Sequence, residues 1–286
     1  MLSEVMLIDD ESQRQILLDE EVKILQKAAY SGDDDCIRAI LSRGNISVNA
    51  NTLDSNSALH CACLAGNAST ARLLIEAGAQ VNARNIDGAT PLCEASCCGS
   101  NECILLLLKH GATVNPNLVL SSPLHEAVLR DKWECAEILL HFGANTESMD
   151  CHYGTALHIA AWKDHINSAQ VLLRNGANVS ATKTLESALH FAARTRSERF
   201  ITLLLDYGAD IYARDNHGRK AIDLVTSVHP IRQLLAFYER NPRNLSHFCR
   251  LCIRQTIPRY KSIKIKQLPL PKKLLDYLDF RDNNIS

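Results

Sequence analysis

Residues 155–178 read Thr-Ala-Leu-His-Ile-Ala-Ala-Trp-Lys-Asp-His-Ile-Asn-Ser-Ala-Gln-Val-Leu-Leu-Arg-Asn-Gly-Ala-Asn, and this stretch decides the fold. Thr155 reads as a helix N-cap, its hydroxyl accepting from an orphan backbone N–H. A short helix follows with Leu and Ala facing inward, then a polar turn, then a second helix with an apolar stripe. Gly176 supplies the left-handed residue that ends the second helix. The pattern recurs along the chain. Gly-Ala begins at Gly78, Gly111, Gly143, Gly176 and Gly208, at spacings of 33, 32, 33 and 32 residues. Leu59, Leu92, Leu124, Leu157 and Leu189 keep the same phase. Two landmarks sharing one period over five units define a repeat array.

Around those leucines the chain reads Ser57-Ala-Leu-His60, Thr90-Pro-Leu-Cys93, Ser122-Pro-Leu-His125, Thr155-Ala-Leu-His158 and Ser187-Ala-Leu-His190. Pro91 and Pro123 take the first helical position, where a missing N–H costs nothing. Upstream, Leu25 to Asn49 reads as a unit without its N-terminal cap. Downstream, Asn216-His-Gly218 begins a seventh copy whose second helix, Ile231 to Tyr238, has no Gly-Ala ending. One helix pair cannot bury its own apolar face, so neighbours must stack, and atypical end units are expected of caps. The signature resembles the ankyrin repeat. It implies an all-α chain with an ankyrin-repeat solenoid of about six to seven helix-turn-helix units over 21–236, after an N-terminal extension, 1–20.

Composition narrows the function classes. The chain has 286 residues, 46% hydrophobic and 22% charged, close to a soluble globular average. Its longest uninterrupted apolar run, Ile104 to Leu108, is far short of the ~20 residues of a membrane span. The N-terminus has early acids and no basic n-region, unlike a secretory signal. Eleven cysteines at irregular spacing do not form a disulfide framework. A reducing compartment, cytoplasmic or nuclear, is expected. The net charge of −1 conceals an asymmetry, because 242–280 carries nine Lys/Arg against Asp276 and Asp279. That basic segment is either a solvated face or a contact for an acidic partner. Aromatics interleave it only at Phe248 and Tyr260, so a nucleic-acid site is not expected.

At Pro242 the repeat stops. Leu245, Cys249 and Ile253 fall at i, i+4 and i+8, one stripe of a single helix that Asn244 is placed to cap. Further on, Leu268-Pro-Leu-Pro271 forces an extended entry, and Leu274, Tyr277 and Leu278 form the apolar face of a closing helix. A module of about forty residues rarely holds its own core and should lean on a partner. These residues resemble the suppressor-of-cytokine-signalling (SOCS) box. Leu245, Cys249 and Ile253 match its elongin-binding BC box, and Leu268-Pro269-Leu270-Pro271 matches its cullin box in the form associated with cullin 5. Over about 90% of its length the chain is similar to the ankyrin repeat and SOCS box family.

The resemblance implies a small helical SOCS box at 237–286, with the BC box at 245–254 and the cullin box at 268–278. It implies a non-catalytic substrate-recognition adaptor of a cullin–RING ubiquitin ligase. Elongin C, with elongin B, would dock on Leu245, Phe248, Cys249 and Ile253. Cullin 5, with RING-box protein 2, would dock on Leu268, Pro269, Leu270, Pro271, Leu274, Tyr277 and Leu278. The repeats would hold a substrate protein for ubiquitination and proteasomal degradation in intracellular signal transduction. The competing reading is a non-degradative cytosolic ankyrin scaffold whose C-terminal segment is only a cap.

Catalytic and metal chemistry find little footing. Cys249-x-x-Cys252 has no second pair at zinc-ribbon spacing, so neither metal nor cofactor is expected. His60, His125, His158 and His190 recur once per unit, which suits a hydrogen bond to neighbouring backbone better than ligation. Cys93 replaces that histidine in one unit and should cost one local hydrogen bond. Cys97 and Cys98 lack an assignable base. In a stacked array the last turn of each first helix and the loop tips line the binding side. The helix position yields Leu64, Cys97, Leu129, Trp162 and Arg194, with Lys163 beside them. Tip candidates are Arg84, Ile86, Leu118, Met149, Lys183 and Arg214. Trp162 either packs against its neighbours or offers its face to a partner.

Overall fold

Several caps act as their residue types require, although Thr90 makes no side-chain cap bond. Ser57 and Ser122 accept the N–H of His60 and His125, each at 3.4 Å, while Ser100 and Ser197 accept those of Cys103 and Phe200 at 3.3 Å. Each cap satisfies one orphan donor at a helix start. At the other end Gly78 and Gly176 adopt φ of 92° and 88°, a left-handed conformation that Cβ-bearing residues enter at a cost. The following Ala79 and Ala177 then donate back to Leu74 and Leu172 carbonyls at 2.9 and 3.0 Å, closing the helix.

The computed structural model describes residues 18–52, 54–116, 121–226, 229–241, 249, 252–253 and 269–278. The chain divides into two compact units, Met1–Arg130 and Asp131–Ser286. The first holds α1 (18–31), α2 (Asp34–Arg43), α3 (Ala58–Ala65), α4 (Ala68–Glu76), α5 (Pro91–Cys98), α6 (Asn101–Lys109) and α7 (Pro123–Leu129). Its first-position helices α3, α5 and α7 pack in sequence, and its second-position helices α2, α4 and α6 do the same. Ala62, Ala95 and Ala127 are wholly buried on the first set, small enough to let those helices approach closely. Leu59, Leu74, Leu92, Ile104, Leu107 and Leu124 fill the core, each burial worth about 1.5–3 kcal/mol.

The second unit holds α8 (Trp133–His141), α9 (Ala156–Lys163), α10 (Ile166–Arg174), α11 (Ala188–Thr195), α12 (Glu198–Asp206), a 3₁₀ turn (Ala221–Leu224), α13 (Pro230–Arg240) and α14 (Lys272–Leu278). Helix α9 packs on α11 and α11 on the 3₁₀ turn, while α8, α10 and α12 form the second row. Leu139, Leu157, Ile159, Leu172 and Phe200 are its buried centre. The short strands Thr182–Lys183 and Glu186–Ser187 pair antiparallel at one loop tip. The last repeat departs from the pattern. Its first helix shrinks to the 3₁₀ turn because Lys220-Ala-Ile-Asp223 stands where the others have Ser/Thr and His. There Asp223 accepts the Lys220 N–H at 2.9 Å, the role that histidine Nδ1 has in other repeats.

Repeats within each unit are joined by polar bridges set one period apart. Asn49 accepts the Gln80 N–H and donates to the Gly78 carbonyl (2.8 and 3.1 Å), and Asn82 repeats this with Thr113 and Gly111 (2.8 and 3.0 Å). The recurring histidines bridge too. His60, His158 and His190 accept from the cap residue's backbone N–H at Nδ1 (3.2 Å in each) and lie 3.2 Å through Nε2 from the carbonyls of Ala89, Glu186 and Arg219. Only the neutral Nε2–H tautomer serves both contacts.

Burial lowers the pKa of His60 and of His158 against the raising effect of their backbone hydrogen bonds. The unfolded chain then binds more protons than the native one below about pH 6.5, so stability falls as pH falls. The contribution is complete above that pH and lost on descending through the lowered native values. We expect the melting temperature to decline on acidification from about pH 7.5 to about pH 5.5. His60→Gln with His158→Gln should flatten that part of the profile, as a thermal melt series will show.

Candidate substrate and docking sites

In the second unit the helix that Thr155 starts ends with Trp162 and Lys163. Trp162 is 44% exposed, so it is a surface residue and not a core one. One ring face stacks on Tyr153 with centroids 5.4 Å apart, and Lys163 Nζ sits 4.2 Å from its ring centroid. The aromatic is held by its neighbours while much of it stays accessible. Lys183 reaches the same loop, since a Cβ on Gly154 would come within 3.0 Å of Lys183 Cβ. Gly154, at φ 85°, is therefore required by both space and backbone. Arg194 donates to both Glu186 carboxylate oxygens, Nη1 to Oε2 at 2.9 Å, and lies over the Phe191 ring. That hydrogen bonding holds the Glu186 carboxyl below its ordinary range. Met149 is exposed on its loop, as is Leu185 at the hairpin tip.

In the first unit Arg84 and Ile86 are exposed on one loop tip, where the Ile86 N–H donates to the Asp54 carbonyl at 3.0 Å. Cys97 and Leu129 are half-buried at the last turns of α5 and α7, and Cys97 lines a cavity with Cys93. Burial pushes the Cys93 thiol up to about 11, which disfavours the thiolate. A hydrogen bond from Cys63 draws Cys103 down to about 7, but Cys103 is fully buried and out of reach of a substrate. Among the described residues no group of three His, Cys, Asp or Glu is placed to hold a metal ion. Among the described residues no helix is long and apolar enough to cross a membrane.

Of the C-terminal residues, Leu245, Phe248 and Leu268 lie outside the described residues, as do the expected cap Asn244 and the tip candidate Leu118. Cys249, Cys252 and Ile253 are helical and exposed. Pro269, Leu270, Pro271 and Leu274 are exposed, Tyr277 belongs to α14, and Leu278 is buried. Tyr153 and Glu186, which hold Trp162 and Arg194, escaped the sequence reading. Their one signal is that each precedes its helix on the adjoining loop.

We expect Trp162→Ala with Arg194→Ala to weaken substrate capture about thirtyfold, the usual effect of losing an aromatic or arginine anchor. The melt should move by no more than about 2 °C, since exposed ion pairs contribute little. Proximity labelling under proteasome block, beside circular dichroism, reads both. Unchanged labelling moves the binding surface to the tips bearing Arg84, Ile86 and Met149.

The family model for ankyrin repeats (three copies) matches residues 25–118 and 115–183, a single ankyrin repeat matches 185–216, and the SOCS box matches 241–279. Mouse ankyrin repeat and SOCS box protein 5 is 39% identical over 160 residues, 56% of this chain and 49% of that protein. Human ankyrin repeat and SOCS box protein 13 is 48% identical over 136 residues, 48% of this chain and 49% of that one. The chain thus spans about half the length of the curated relatives it matches. The crystal structure of the human ASB11 ankyrin repeat domain superposes with a TM-score of 0.72 at 37% identity, covering 77% of this chain and 99% of that domain. The ankyrin repeat domain of Bcl-3 superposes at 0.63 with 25% identity, over 74% and 97%.

Proposed function

This chain belongs to the ankyrin repeat and SOCS box family, and on that premise we propose that it is a substrate-recognition adaptor of a ubiquitin ligase. Residues 21–236 receive a substrate protein, and 237–286 dock the ligase. In this reading elongin C and elongin B bind Leu245, Phe248, Cys249 and Ile253, while cullin 5 with RING-box protein 2 binds the segment from Leu268 to Leu278. The chain performs no chemistry itself. It holds the substrate near a charged conjugating enzyme, converting a bimolecular encounter into a local one, and degradation follows. It works in the cytoplasm or nucleus.

The observation that carries this reading is the apolar surface of the C-terminal module. Ile253 is 42% exposed, Leu270 38% and Leu274 47%, beside an exposed Cys249. Exposed apolar side chains on so small a module are costly in water and support a partner that covers them. A scaffold's cap has no use for Leu268-Pro-Leu-Pro271.

The test is recovery of elongin B, elongin C and cullin 5 with the tagged full chain. Changing Leu268, Pro269, Leu270 and Pro271 to Ala should lose the cullin and spare both elongins, because the contacts come from opposite ends of the box. Failure to recover any of the three from the intact chain would leave the scaffold reading in its place.

A further inference from the structure

Among the five repeats that begin with Ser or Thr, one breaks the histidine pattern, and a cavity lies beside it. The imidazoles of His60, His158 and His190 span to the next loop's carbonyl at 3.2 Å. Cys93 occupies the same position, but its Sγ stays 4.0 Å from the Ser121 carbonyl and 3.5 Å from the Thr90 hydroxyl. Cys93 lines a cavity of about 200 Å³, the size of one side chain and below the ~300 Å³ at which small-molecule sites begin.

Its lining has two characters. Ala89, Cys93 and Cys97 give it an apolar part, while Asp87, Glu94 and Glu126 bring three carboxylates. Glu94 and Glu126 hold the same position in consecutive repeats, 32 residues apart, so stacking sets them side by side. Burial raises the Glu94 pKa, and the charges of Glu126 and Asp87 raise it further. None of the three carboxylates has an ion-pair partner among the described residues. Like charges converging on a cavity without a cation weaken the fold that holds them.

We propose that this cavity receives one arginine side chain from an extended segment of the substrate protein. The proposal rests on the adaptor reading and names the chemistry of what the repeats capture. A guanidinium supplies the missing cation, presents five donors to the carboxylates, and is weakly enough hydrated to enter a half-enclosed space. Its aliphatic stem suits Ala89 and the two thiols. The Ser121 carbonyl, which in other repeats would accept from histidine, offers one more acceptor.

The experiment uses the full chain, the labelled peptide acetyl-Gly-Arg-Gly-amide and its citrulline twin, which is a neutral isostere, with anisotropy as the readout. The intact protein should bind the arginine peptide about tenfold more tightly than the citrulline one. Glu94→Gln with Glu126→Gln should erase the difference. Cys93→His should raise the melting temperature by restoring the bridge to Ser121, and should abolish arginine binding by filling the cavity. Equal binding of the two peptides by the intact protein overturns the proposal, and so does undiminished arginine binding by the stabilised Cys93→His variant. Elongin capture is measured on the same proteins. Capture without peptide discrimination refutes the cavity alone, and discrimination without capture refutes the adaptor reading alone.

Discussion

Leu245→Asp with Cys249→Asp will abolish recovery of elongin C and elongin B while the repeat units stay folded. Three apolar side chains at the i, i+4 and i+8 spacing, Leu245, Cys249 and Ile253, contribute about 5–9 kcal/mol at most when buried against a partner. Two carboxylates at those positions forfeit this gain and add the cost of burying charge without a counter-ion. Cys249 is exposed in the free chain, so an acid there costs the fold little. A pull-down with elongin blots, paired with circular dichroism, measures both halves. Undiminished elongin capture by a folded double variant would remove the BC box from this chain.

Phe200→Ala will lower the melting temperature of the second unit by about 10 °C. Phe200 is wholly buried on α12 and is the largest fully buried side chain of the protein's described residues. Truncating a buried Phe to Ala costs about 3–5 kcal/mol through lost transfer energy and the cavity left behind. For a chain of this size each kcal/mol moves the midpoint by roughly 2–4 °C. In a stacked array the damage should stay near the substituted repeat, loosening α11, α12 and the 3₁₀ turn first. Hydrogen exchange will show early opening there. A shift no larger than that of the exposed Trp162 and Arg194 pair would mean that α12 is not packed as described.

Much of the architecture was legible because a repeat states its pattern five times. Ser57, Ser122, Thr155 and Ser187 announce caps, and Gly78 to Gly208 announce helix ends, since both roles depend on one residue's own backbone and its nearest neighbours. The bridging histidines were legible for the same reason, as one hydrogen-bonding group per period must meet the next unit. The 3₁₀ turn at Ala221–Leu224 was not, because it follows from the loss of a cap and a histidine together. Trp162 stood open between packing and exposure. Periodicity assigns its helix position but is silent on Tyr153, which belongs to the loop before the helix and carries its own rotamer.

The sequence by itself determined the period, the starts and ends of the helices in the five clear units, the histidine bridges between repeats and the order of ankyrin array followed by SOCS box. Each of these is set by local backbone preference or by apolar spacing repeated along the chain. Only the tertiary structure decided that Trp162 rests on Tyr153 with much of its surface open, that Arg194 is engaged by Glu186, and that Cys93 lines a carboxylate-lined cavity beside Glu94 and Glu126. Those outcomes depend on how side chains from different loops and repeats meet, and the distance at which two such groups come to rest is a property of the packed stack, not of either segment alone.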